Sequence, residues 1–306
     1  DNGKIASGYR LDQWQATDLR PMVGNMMSMK PNPSYNQERD DNLHSVFARY
    51  EHQLTDKPLT AYVGAGSTER FPDYWEMIAK ESQMTVSAFH VAPEHTKQID
   101  TGLLFADEKR QWSASVFYNQ IDDFILVDYR SMMKMLGFVR NIDASSYGAE
   151  LTYSQRLGDS LKVDSSLAYT RGTNDTDNSS LPQLAPLEAR IGADYQQQDW
   201  SVGMLWRVVA AQDRYALNTG NIVGKDLGPS SGFGILSANA AWKLYPSLQL
   251  SLGIDNLFDR QYAEFVSRAG SNGMGGAIPG FEQTTRVNEP GRTAWLKLSW
   301  SFEDKF

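Results

Sequence analysis

Apolar and polar side chains alternate along this chain in short stretches, and the two-residue period recurs from end to end. Leu248, Leu250, Leu252 and Ile254 are interleaved with Gln249, Ser251, Gly253 and Asp255. Trp112, Ala114, Val116 and Tyr118 are interleaved with Gln111, Ser113, Ser115 and Phe117. Leu161, Val163, Ser165, Leu167 and Tyr169 form a third row, Trp200, Val202, Met204, Trp206 and Val208 a fourth, and Ala294, Leu296, Leu298, Trp300 and Phe302 a fifth. A period of two is the geometry of a strand with one apolar and one polar face. Twelve such segments are expected, near 4–14, 43–53, 58–66, 98–106, 111–127, 146–156, 161–171, 187–196, 200–211, 233–244, 248–256 and 293–302. The fold class is all-β and antiparallel.

The connections alternate in length. Thr55–Lys57, Asp107–Lys109, Gly158–Ser160, Gln197–Asp199 and Tyr245–Ser247 read as tight turns, whereas 15–42, 67–97, 128–145, 172–186, 212–232 and 257–292 are long. A soluble sandwich has no reason to gather every long loop at one end. A transmembrane β-barrel does, with short periplasmic turns and long extracellular loops. If the last strand descends to the periplasm, all six long loops fall on the outside. The chain ends in aromatics, Trp300, Phe302 and Phe306. Bacterial barrels commonly close on a terminal Phe. If Phe302 is that residue, Glu303–Phe306 is an extension without explanation.

Composition removes other classes. No apolar run approaches the ~18–20 residues of a membrane helix, whereas barrel strands need only ~9–11. The chain has 306 residues and no cysteine, which removes disulfides, thiolate metal sites and cysteine nucleophiles. Its formal charge of −8, with acids dispersed, argues against nucleic acid, which needs a basic patch. The 8 Trp, 14 Tyr and 13 Phe suit the aromatic girdles of a barrel. No signal peptide opens the chain, as expected of an exported protein already processed.

Five segments carry a family resemblance. The run from Leu252 to Tyr262 (LGIDNLFDRQY) is similar to the "G-x-x-N-L-F-D-x-x-Y" signature of TonB-dependent receptors, at the end of the penultimate strand. Thr68–Glu76 (TERFPDYWE) resembles their "GFRxPxxxE", and Pro93–Gly102 (PEHTKQIDTG) their "L-x-P-E-x-S-x-x-x-E-x-G". Ser115–Phe124 (SVFYNQIDDF) resembles "xxFYxxIxDxI", and Asn141–Glu150 (NIDASSYGAE) resembles "N-x-x-x-A-x-x-x-G-x-E". The motifs stand in family order over about residues 60 to 302. The resemblance implies a bacterial outer-membrane location and a barrel of about 22 strands around an N-terminal plug. Residues 1–306 would then be the C-terminal portion, the last twelve strands. The plug, the TonB box and about ten earlier strands would be missing from this chain. Expected partners are that missing part, TonB through its box, and outer-membrane lipid with lipopolysaccharide. Unpaired first and last strands are not tolerated in lipid, so this chain alone is not expected to transport.

Candidate chemistry is sparse. No nucleophile elbow, phosphate loop or HExxH pair occurs, so an enzyme has little support, and no cofactor is expected. Methionine usage is unusual. Met22, Met26, Met27 and Met29 fall within the first long loop, Met132, Met133 and Met135 within the third, Met77 and Met84 in the second, and Met274 in the last. Ten of the eleven methionines thus map outside, and only Met204 sits in a strand, on the lipid-facing row. Thioether sulfur is a soft ligand that suits Cu(I). The bland alternative is adaptable packing between loops or against the plug. His90 and His95, expected together in the second long loop, are weaker ligand candidates, and exposed loop histidines are the plain alternative.

The loop texture, from Met22 to Met29 and around Phe258–Ala269, resembles the copper-receptor branch of the family. Its main ligands are expected to include a cysteine and a His-x-Met pair, neither of which occurs here. The methionines would be secondary sites guiding copper, as transported ligand, toward a primary site elsewhere. Three alternatives stand. One is a ferric-siderophore or other metal-chelate receptor, recognising its ligand through Arg70, Tyr74, Trp75, Arg214 and Arg268. The second is a stand-alone 12-stranded pore, which requires the first and last strands to pair. The third is a surface receptor for a phage or bacteriocin.

Overall fold

The computed structural model describes residues 2–25, 28–54, 58–78, 88–129, 138–270 and 285–301. Twelve long strands form a wall: β1 (Gly3–Thr17), β2 (Glu38–Gln53), β3 (Leu59–Arg70), β4 (Glu94–Ala106), β5 (Arg110–Asp128), β6 (Phe138–Leu157), β7 (Leu161–Asn174), β8 (Glu188–Gln196), β9 (Trp200–Val209), β10 (Phe233–Tyr245), β11 (Leu248–Asp255) and β12 (Thr293–Trp300). Each pairs with the next in chain order, and two short strands on the edges of β5 and β7 complete a fourteen-stranded sheet. Among the described residues, the tight turns lie at one end of the wall and the long connections at the other. Local chemistry makes the turns. The Asp107 carboxylate accepts the Lys109 and Arg110 amides at 2.9 and 2.6 Å, while Gly158 supplies a φ of 66°.

The register fixes two faces. Paired residues share a side, so one outward line runs Ile5–Tyr50–Val63–Thr101–Val116–Ala149–Tyr169 across β1 to β7. Another runs Tyr195–Val202–Ala240–Leu252–Leu296 across β8 to β12. Most of these apolar side chains are exposed, and so are Leu151, Leu167, Ile191, Met204 and Trp206 from the same face. An apolar belt of this extent has no place in water and fits hydrocarbon. Near the tight turns Phe105 stacks on Trp112, Tyr195 lies beside Trp200, and Trp200 pairs with Trp242. These rings form the lower girdle. The inward face is wet: Lys4–Glu51–Tyr62–Gly102–Ser115–Glu150–Ala168–Glu188 lie on one line.

Several strands outrun their expected limits, all at the loop end. β1 continues to Thr17, β2 starts at Glu38, β4 at Glu94 and β6 at Phe138. Above the bilayer both faces meet water, so pairing persists without the apolar alternation that marks a strand in sequence. His95 therefore belongs to β4, not to a loop shared with His90. Between Ile121 and Phe124 the β5–β6 register shifts, with Asp123 at φ 57°. This bulge reverses the parity of β5 and turns Phe124 and Leu126 to the same side as Ile121. There they join Ile142, Ala144, Leu181 and Leu184 in an apolar cluster at the mouth. The strand order runs from β1 to β12 without closing on itself, so the pairing required by a stand-alone 12-stranded pore is not found among the described strands. Phe302 and Phe306 lie outside the described residues.

Four inward aromatic rings lie against a glycine on the neighbouring strand: Phe47 on Gly8, Tyr62 on Gly102, Phe117 on Gly148 and Trp295 on Gly253. A Cβ on Gly148 would stand 2.4 Å from both the Phe117 ring and the Tyr169 carbonyl oxygen, one of them immovable backbone. At Gly192 the nearest atom would be 3.7 Å away. Gly148→Ala is therefore expected to destabilise the wall by roughly 1–3 kcal/mol, as overpacking does. Gly192→Ala should be neutral or slightly stabilising, because it removes glycine's backbone freedom. Denaturant unfolding of the full-length receptor in detergent checks the pair. Equal effects at the two positions would contradict the packing argument.

Candidate functional site

The extracellular ends of the strands are tied together by the residues that carried four of the sequence motifs. Arg70 pairs with Glu76 at 2.9 Å and with Glu94 at 2.7 Å. The other Glu94 oxygen accepts the Ile125 amide at 2.8 Å, just beyond the bulge. The Asn141 carboxamide donates to the carbonyls of Asp123 (2.7 Å) and Ala92 (3.1 Å), and accepts the Ala92 amide at 2.9 Å. These contacts satisfy backbone groups that the ladder leaves open. The fifth motif ends β11. Asn256, at φ 50°, donates to the Arg260 carbonyl and accepts its amide, both at 2.9 Å, and the Tyr262 ring packs on Phe233.

Behind Arg70, a single helical turn (Tyr74–Ile78) is held by reciprocal caps. Asp73 accepts the Trp75 amide at 2.8 Å, and Glu76 accepts the Asp73 amide at 2.7 Å. The turn buries Glu76 and Met77 and leaves Tyr74 and Trp75 exposed, edge to face at 5.4 Å. Met77 is thus packing. Arg70 is committed to two carboxylates, whereas Arg214 gives one hydrogen bond at 3.3 Å to the neutral Tyr169 hydroxyl and keeps its charge.

The first long loop carries a small hairpin, Met22–Asn25 paired with Ser28–Pro31. Gly24 stands opposite Met29 and Met22 opposite Pro31, so Met22 and Met29 share one face. That face is open: Met22 is 40% and Met29 51% exposed, while Val23 on the opposite face is 8% exposed. The hairpin stands on a buried carboxylate. Asp18 accepts from Arg20 Nε (2.8 Å), Arg20 Nη2 (2.6 Å), Asn32 Nδ2 (2.9 Å) and Ser34 Oγ (2.9 Å). Its main chain holds the returning stem, through Asn36 N to Asp18 O and Asp18 N to Gln37 O. Burial works against the charge on Asp18, but the Arg20, Asn32 and Ser34 hydrogen bonds outweigh it and hold the carboxyl well below the usual carboxylate range.

Of the other candidate ligands, His90 closes a 3₁₀ turn (Ala88–His90) and hydrogen-bonds Gln37 Oε1 through Nε2 at 2.6 Å. His95 Nε2 bonds Ser67 Oγ at 2.6 Å. Met26, Met27, Met132, Met133, Met135, Met84 and Met274 lie outside the described residues. Among the described residues, no three His, Asp or Glu side chains form a metal cluster. Sequence reading missed the mouth's charged clamps. Arg207 bridges Glu188 (2.6 Å) and Glu264 (3.1 Å), and Arg140 bridges Asp128 (3.6 Å) and Asp177. Their partners are separated along the chain without a repeating interval, so no spacing betrays them.

Asp18→Ala would strand the Asn32 and Ser34 donors, and the loop's local stability should fall by about 1–3 kcal/mol. Because Asp18 titrates lower in the fold than its ordinary 3.8, its contribution is full above that value and disappears only as pH falls further, through the depressed value. Protection of first-loop amides, their exchange relative to the intrinsic rate at each pH, should therefore stay high from neutral pH down to pH about 4 and fall in stronger acid. Loosening near pH 6 would contradict this latch.

The family model described as "TonB dependent receptor-like, beta-barrel" matches residues 3–257. Among solved structures, the copper transporter OprC superimposes with a TM-score of 0.91 at 43% identity, covering 98% of this chain and 46% of its own. The FrpB iron transporter from Neisseria meningitidis (F5-1 variant) superimposes with a TM-score of 0.69 at 15% identity, covering 99% of this chain and 44% of its own, a likeness of fold alone. The ferric enterobactin receptor of Pseudomonas aeruginosa is 26% identical over 161 residues, 51% of this chain and 21% of that protein. The chain spans less than half the length of these relatives. A matching family model over most of the chain, together with a continuous two-faced wall, shows that it belongs to the TonB-dependent receptor β-barrel family of the outer membrane.

Proposed function

We propose that this chain is the C-terminal, twelve-strand part of an outer-membrane receptor that takes up copper. The observation that carries the reading is its 43% identity across 98% of its length to a copper transporter, against 15% to an iron transporter of the same fold. In this reading the remaining strands, a plug and a TonB-binding segment complete the receptor. The edges of β1 and β12, which pair with no other strand among the described residues, support it, because open ladders are not viable in hydrocarbon. The outward belt contacts outer-membrane lipid and, in the outer leaflet, lipopolysaccharide.

Chemistry points the same way. Met22 and Met29 offer two thioethers at diagonal positions on one exposed face, and thioether is a ligand class suited to Cu(I). Sulfur there has no proton to lose, so capture does not depend on pH as histidine capture does. Met26 and Met27 lie between Met22 and Met29 in the sequence, and the third loop adds Met132, Met133 and Met135. We assign these seven methionines to secondary capture, with His90 and His95 as weaker auxiliaries. Lumen carboxylates such as Asp100 and Glu150, and the formal charge of −8, favour a cation over an anion in transit. A chelate receptor draws support from the exposed Tyr74–Trp75 pair and from the 26% identity over 161 residues to a ferric enterobactin receptor.

The purified full-length receptor is expected to hold copper without a chelator. Binding of a ferric chelate alone would overturn the copper reading. Replacing Met22, Met26, Met27 and Met29 together with Leu is expected to lower copper uptake at limiting concentration while leaving receptor abundance unchanged. Uptake at the unsubstituted rate would remove the methionines as ligands.

A further inference from the structure

The β9–β10 connection makes a contact far from its own strands. Thr219 and Gly220 pair antiparallel with Asp128 and Val127 at the top of β5. Three strands, β6 to β8, stand between β5 and β9, a separation of about 19 Å at the usual inter-strand spacing. The edge it occupies is one that β4 leaves open, because the β4–β5 pairing stops at His95 and Asp122. The contact is more than two residues deep. The Tyr129 amide donates to the Asn218 carbonyl at 2.8 Å, the Tyr129 hydroxyl to the Asn221 carbonyl at 3.1 Å, and Lys225 Nζ lies 5.4 Å from the Tyr129 ring centre.

Two buried side chains bind this connection to its neighbours. Asp226, fully buried, accepts the Gln183 amide and side chain from the β7–β8 loop at 3.0 and 2.8 Å, and the Ala216 amide at 2.8 Å. Arg286, in the β11–β12 loop, donates to the carbonyls of Gly228 (2.6 Å), Pro229 (2.9 Å) and Phe265 (3.0 Å). Breaking either leaves several backbone groups buried and unpaired, so the three loops and β5 open together or not at all. The first loop, with Met22 and Met29, shares none of these bonds; it stands on the Asp18 latch and meets the second loop through Gln37 and His90.

We infer that the β9–β10 connection is a fixed strap that stays paired to β5 throughout transport, and that cargo enters on the side of the β1–β2 loop. Asp226 and Arg286 act as positioning residues for the strap. The route rests on the proposed uptake function, whereas the strap does not.

The chain has no cysteine, so a staple between Asp128→Cys and Thr219→Cys introduces the only thiols on it. In full-length receptor on cells, copper uptake by the stapled protein is compared with that of the two single-cysteine variants under the same conditions, with neither alkylating agent nor reductant. Uptake at the rate of those controls is expected. Loss of uptake in the stapled protein alone would overturn the fixed strap. If the controls themselves import no copper, the copper reading fails and hydrogen exchange decides the strap. Amides of Asn218, Asp226 and Tyr129 should then exchange as slowly as amides in the wall of the same receptor. Rapid exchange there would overturn it. Asp226→Asn keeps the shape but removes the charge-assisted acceptors, and should quicken exchange at Gln183 and Ala216 together. Quickening at one alone would contradict a shared hub.

Discussion

Hydrocarbon cannot hydrogen-bond a peptide group, and this constraint organises the chain. Every amide and carbonyl at membrane depth must find its partner on an adjacent strand, so each wall strand pairs with its neighbour in chain order. The same constraint demands apolar side chains on the outward positions. That produces the line from Ile5 through Val63 and Val116 to Tyr169, and the separate line from Tyr195 to Leu296 on the same face. β1 and β12 each keep one edge without a partner in the described wall, and the proposed completion by further strands rests on those edges.

Above the bilayer the constraint lapses and other forces take over. Water can satisfy backbone groups there, and the structure adds ion pairs and buried hubs to fix loops that no lipid presses into place. Arg70 with Glu76 and Glu94, Asp18 with Arg20 and Asn32, Asp226 with Gln183, and Arg286 with three carbonyls divide the mouth between them. The bulge at Asp122–Asp123 belongs to this zone. It re-aims the top of β5 so that Phe124 and Leu126 cover the inner side of the mouth, and frees an edge that the β9–β10 connection fills.

The sequence was most legible where lipid dictates it. Twelve segments, their order, their outward rows and the alternation of turn and loop were all readable, down to Ser165 and Met204 on the lipid side. Legibility stopped where lipid stops. Thr17, Glu38, Glu94 and Phe138 extend strands through water on both faces, and there the two-residue period fades, which sent His95 to a loop in prediction and to β4 in the fold. The motif residues were recognisable, but their work was not. Arg70, Glu94 and Asn141 prove to be the ties between loops and wall, and nothing in their spacing announces that. The methionine hairpin was read as loop composition, while the shared face of Met22 and Met29 follows only from the pairing of Gly24 with Met29. Clamps such as Arg207 with Glu188 and Glu264 join distant segments and leave no local trace.

The two-faced wall is open to direct measurement. Nitroxide labels placed one at a time from Gln111 to Tyr118, in full-length receptor reconstituted in a bilayer, report collisions with oxygen dissolved in the hydrocarbon. Oxygen accessibility should peak at Trp112, Ala114, Val116 and Tyr118 and fall at Gln111, Ser113, Ser115 and Phe117. A flat profile, or peaks on the second set, would contradict a wall with lipid outside and a wet lumen within.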